Sequence, residues 1–77
     1  MEHRIKVWYK AQKNAGYQRT QYRTKTIHMA IPVDKLGFYL FDTLAQNINA
    51  YFASEILPTM DNVVGITVTG WQIADSY

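Results

Sequence analysis

Odd and even positions separate within the first dozen residues. Over residues 3–11, Ile5, Val7, Tyr9 and Ala11 alternate with Arg4, Lys6, Trp8 and Lys10. A two-residue period rich in β-branched and aromatic side chains marks a strand with one buried face. Residues 13–16, Lys-Asn-Ala-Gly, supply turn chemistry, because Asn and Gly accept positive φ. Residues 17–31 hold a second, longer strand loaded with Thr, Tyr and Ile, close enough to the first to form a hairpin.

The pattern also suggests a register. A loop of two or four residues sets odd positions of the first strand against even positions of the second. Ile5, Val7, Tyr9 and Ala11 then share a face with Tyr22, Thr24 and Thr26, and Arg4, Lys6, Trp8 and Lys10 share the other with Arg19, Gln21, Arg23 and Lys25. A three-residue loop would mix apolar and charged sets, and a one-residue slip turns every side chain over, so the even loop is expected. It leaves Ile27, Met29 and Ile31 on the charged parity, which calls for a bulge near Thr26.

Pro32-Val33 breaks the strand, and Asp34 is a good N-cap for a helix over about 35–57, ended by Pro58. Leu40, Phe41, Leu44, Ile48, Tyr51, Phe52 and Ile56 recur every three or four residues and form one apolar stripe; Asp42, Thr43, Gln46, Asn49 and Ala53 lie opposite. Gly37 falls in the first turn. Residues 59–62 are a polar loop. Residues 63–74 are a last strand, with Val64, Ile66 and Val68 on one face, Thr67, Thr69 and Trp71 on the other, and Gly70 inviting a bulge. Residues 75–77 are read as a loose tail.

A strand, a crossover helix and a parallel strand make a right-handed unit, and the first strand fits between the other two. The expected fold is α+β, ββαβ: a three-stranded sheet in the order 2-1-3 with one helix packed on one face, residues 1–77 as a single domain. The opposite face has no second layer, so function or assembly is sought there.

Composition sharpens this picture. A chain of 77 residues buries only about 60% of its unfolded surface, so its core is small. With no cysteine, disulfides, thiolate metal sites and a Cys nucleophile are excluded, and a reducing, cytoplasmic setting is expected. No apolar run approaches the ~20 residues of a membrane span, and the charged opening has no apolar h-region, so neither a membrane partner nor a signal peptide is expected. The net charge of +2 hides an asymmetry. Residues 1–28 hold seven Lys and Arg against one acid, whereas residues 29–77 hold Lys35 against five acids. Such polarity speaks of partners rather than of fold.

Arg4, Lys6, Trp8, Lys10, Arg19, Arg23 and Lys25 are therefore the candidate site. Clustered Lys and Arg neutralise phosphates, and unpaired bases stack on exposed aromatics. The plainer alternative is a solvated face whose Lys and Arg stems shield a Trp. His3 and His28 alone make no zinc site. Asp34 is used as a cap, Asp42 and Glu55 lie too far apart on one helix to act as a pair, and the four glycines form no phosphate loop, so neither an enzyme nor a cofactor or metal is expected. Of the six tyrosines, Tyr9 and Tyr51 read as core, while Tyr17 and Tyr22 fit either core or interface. Two functions compete. One is a module binding single-stranded DNA or RNA through the open face. The other is a small protein-interaction module for an acidic partner, such as an inhibitor, accessory factor or assembly subunit of the kind viruses and mobile elements encode. A homodimer suits the small core, with edge or helix contacts preferred because two basic faces repel.

Overall fold

The computed structural model describes residues 2–13, 20–60 and 63–75. Strand β1 spans Glu2–Lys13, β2 Gln21–Ala30 and β3 Val63–Ile73. They form one three-stranded sheet in the order β2-β1-β3, with β1 antiparallel to both neighbours. One helix, α1, spans Phe41–Tyr51. The chain is thus the α+β arrangement its pattern implies. Among the described residues, no helix is long and apolar enough to cross a membrane.

The core lies between the odd face of β1 and the helix stripe. Ile5, Val7 and Tyr9 are buried against Leu44, Ile48 and Phe52, with Ile27 and Ile31 from the β2 side, and Ala11 is buried further along β1. Tyr9 and Phe52 pack with ring centroids 5.0 Å apart. The helix ends in a widened π turn, Phe52–Ile56, and a 3₁₀ turn, Leu57–Thr59, that contains Pro58. Proline has no N–H to continue the ladder, so the helix stops there.

The register differs from the expected one. Tyr9 pairs with Arg23, Val7 with Lys25 and Ile5 with Ile27, and the ladder runs from Glu2 opposite Ala30 to Ala11 opposite Gln21 without a shift. Paired residues share parity, so no bulge at Thr26 is needed. The reason is energetic. This register brings Ile27 and Ile31 under the helix, at about 1.5–3 kcal/mol for each aliphatic side chain fully buried. Its cost is small, because Arg23 and Lys25 stay exposed on a stretch of β2 that the helix leaves open: every residue from Gln21 to Thr26 is exposed. The turn residues Asn14, Ala15 and Gly16 lie outside the described residues.

Strand β3 carries two irregularities, between Trp8 and Tyr9 and between Gln12 and Lys13 of its partner. The first makes Thr69 the extra residue, next to Gly70 as the sequence suggests, and turns Trp71 to the helix side. There it meets Phe41 at 6.0 Å and joins the core edge, contrary to its expected place beside Thr67 and Thr69. The second leaves Val64 60% exposed, not inward with Ile66 and Val68.

The helix starts six residues later than its pattern implies. Asp34 accepts hydrogen bonds from the amides of Leu36 (2.8 Å) and Phe38 (3.0 Å), so it closes a tight turn rather than capping α1. Gly37 sits at φ +86°, a left-handed conformation that no helix interior tolerates. Val33 and Tyr39 bridge across this turn. Leu40 then takes the N-cap position without a side-chain cap.

Candidate nucleic-acid interface

The even face of β1 presents Arg4, Lys6, Trp8 and Lys10 in a row on the central strand, away from the helix. Successive members lie about 7 Å apart, twice the rise per residue of an antiparallel strand. The β2 residues across from them are His28, Thr26, Thr24 and Tyr22; Gln72, Gly70 and Thr67 lie across on β3. Among the described residues no second layer covers this face. Tyr22 is 76% exposed. The even-loop register sets it with the buried side chains; the observed register places it beside Lys10 on the open face.

Trp8 is half-buried. One edge of its ring covers Gly70, where an added Cβ would meet Cε3 at 3.9 Å, an ordinary contact. Lys6 holds its ammonium 5.2 Å from the Trp8 ring centroid, within cation–π range. Thr69 donates its hydroxyl to the Trp8 carbonyl at 3.1 Å, binding the bulge to the central strand. Trp8, Tyr22, Thr24 and Thr69, together with Tyr9 and Arg23, line a shallow depression of about 260 Å³. Two aromatic rings thus flank a hollow among cations, an arrangement able to stack planar groups and neutralise anions.

The candidate residues do not all gather here. Arg23 and Lys25 stand at odd positions of β2, on the helix side, and line a second cleft of about 450 Å³ completed by Tyr9, Ile56, Thr59, Met60 and Val63; Arg23 also borders the depression beside Trp8. Odd positions of β2 share the face of odd positions of β1, so the expectation of a single seven-residue surface is corrected to Arg4, Lys6, Trp8 and Lys10 on one side and Arg23 and Lys25 on the other. Arg23 donates to the side-chain oxygen of Gln21, two residues along the same face. Arg19 lies outside the described residues.

His3 and His28 are brought to neighbouring strands but face opposite sides of the sheet. His3 bonds Asp75 through Nδ1 at 2.5 Å and sits edge-on to Tyr39. Asp75 also accepts from the Arg4 amide at 2.7 Å, and Ala74 donates to the Arg4 carbonyl, so residues 74 and 75 are tied to β1 and not a loose tail. The Arg4 amide, followed by the His3 ring, holds the Asp75 carboxyl below its ordinary value of 3.8. Among the described residues no three His, Cys, Asp or Glu side chains cluster as metal ligands.

No family model, curated protein or solved structure matches this chain. Its function is therefore argued from the site alone.

Proposed function

We propose that the chain is a non-enzymatic binding module that takes single-stranded nucleic acid on the open face of its sheet, in a reducing compartment such as the cytoplasm. The observation that carries this reading is the uncovered row Arg4, Lys6, Trp8, Lys10 with Tyr22 beside it. Backbone phosphates meet Arg4, Lys6 and Lys10, and bases stack on Trp8 and Tyr22, at about 1–3 kcal/mol per stacked base. A flat strand surface leaves room for splayed bases, and nothing on it reads base edges in a fixed pattern, so binding is tolerant of sequence.

The test is titration of fluorescent oligonucleotides at several salt concentrations. With three phosphates neutralised, log K falls with log salt at a slope of about −2. Binding that is absent at low salt, or that ignores salt, sinks the reading. The second reading, a protein-interaction module, is favoured by one separate observation: the cluster of exposed apolar side chains between β2 and α1.

A further inference from the structure

The segment between β2 and α1 is unusual for its exposure. Leu36 is 83% exposed and Phe38 67%, and Val33, Tyr39, Leu40 and Phe41 are exposed beside them. Together they present roughly 600 Å² of mainly apolar surface, at the upper end of the largest patch on a typical monomer. The segment is also firmly held. Asp34 binds two amides with its carboxylate, its own N–H donates to the Phe38 carbonyl at 2.9 Å, and Leu40 donates to the Pro32 carbonyl at 2.8 Å. Within it the tilted rings of Tyr39 and Phe41 pack at 5.7 Å, and Phe41 packs on Trp71 at 6.0 Å. A surface already fixed in shape costs little entropy to bind.

We propose that this surface is where a second copy of the chain docks. Three features select a copy of itself. First, the patch is both convex and concave: Leu36 and Phe38 project, and a cleft of about 470 Å³ lined by Tyr39, Leu40, Phe41, Asp42 and Thr43 opens beside them. A two-fold axis lets each copy place its projecting pair at the other's cleft, the self-complementary arrangement of an isologous dimer. Second, roughly 600 Å² per copy approaches the ~800 Å² per partner of a standard interface, while the core of one copy is small. Third, the only charged residues in the stretch are Asp34, Lys35 and Asp42, and the Asp34 carboxylate is occupied by the turn amides. With two acids against one base in each copy, like-charge repulsion across the axis is small, and the cationic open faces stay apart and free. The proposal does not depend on the nucleic-acid reading.

Sedimentation equilibrium of the whole chain tests it, alongside the double variant Leu36→Glu/Phe38→Glu. Both positions are largely exposed, and retained circular dichroism and dispersed amide signals establish that the variant folds. The native chain is expected to be dimeric at tens of micromolar, and the double variant about 100-fold weaker in self-association, as for loss of central apolar anchors. On dilution of the native chain, amide shifts should move over residues 33–43 and stay still on the open face. A native chain that is monomeric at hundreds of micromolar overturns the proposal, also if it binds neutral lipid vesicles or another protein through the same residues. So does a dimer that the double variant leaves unchanged. Oligonucleotide affinity of the folded variant is read separately, so failure of one idea is not mistaken for failure of the other.

Discussion

Alternate residues of β1 build both faces of the sheet, but the two faces answer to different demands. On the helix side Ile5, Val7 and Tyr9 are buried in one cluster with Leu44, Ile48 and Phe52, the Tyr9 ring against that of Phe52. On the other side Lys6, Trp8 and Lys10 have no covering layer and keep only local contacts: an ammonium over a ring, a ring over a glycine. A side chain on the first face is held by packing, so changing it acts on stability. A side chain on the second face is held loosely, so changing it acts on what the face meets. The distinction holds along a single strand, which makes it easy to test.

The largest effect expected is on the buried side. Phe52→Ala removes a ring packed against Tyr9 and should cost about 3–5 kcal/mol, read as a lower urea midpoint. For a domain this small that is most of its stability. A loss below 1 kcal/mol would mean the helix does not seal this face.

Next comes the open face. Trp8→Ala should weaken oligonucleotide binding by about 1–3 kcal/mol while the denaturation midpoint moves little. Unfolding of this variant would show Trp8 to be core and erase the contrast between the faces. Lys6→Ala/Lys10→Ala should flatten the salt dependence, whereas Lys25→Ala, on the helix side, should leave it nearly as steep. A comparable loss from Lys25→Ala would mean the ligand wraps the β2 edge.

Smaller still is the turn that separates β2 from α1. Gly37→Ala forces a side chain into left-handed backbone and should destabilise by about 1–2 kcal/mol, although no atom lies within 4 Å of the added Cβ. An unchanged melting temperature would show that the turn relaxes freely.

The weakest effect concerns the end of the sheet. Asp75 is exposed, and its carboxyl is held below 3.8 in the folded chain by the Arg4 amide and the His3 ring. A lowered folded value means the charged form favours the fold. This contribution is complete above about pH 3.8 and is lost as pH falls through the lowered value. Protection of the Arg4 amide against hydrogen exchange, relative to its intrinsic rate, should fall on acidification over that range, and Asp75→Asn should remove the transition. The same transition in the variant would assign it to another group.

What the chain determined by itself was everything with a short period. The alternation over residues 3–11 decides which β1 side chains face the helix, and the spacing of Leu44, Ile48 and Phe52 decides which face of α1 they meet. The order β2-β1-β3 follows from those two patterns and the length of the crossover. Proline at position 58 stopped the helix where its missing N–H required. Tertiary structure decided the remainder. The partner of Tyr9 on β2 depends on whether Ile27 and Ile31 reach the helix, a question about packing far along the chain that the charges nearer the turn obscured. That single parity choice moved Tyr22 onto the open face and took Arg23 and Lys25 off it. Likewise, Asp34 and Gly37 are compatible with a helix start or a tight turn. Positive φ at Gly37 and two amides on one carboxylate selected the turn, and so left Leu36 and Phe38 in solvent. Local periods are written into neighbouring residues, whereas register and exposure are settled only when distant elements compete for the same buried surface.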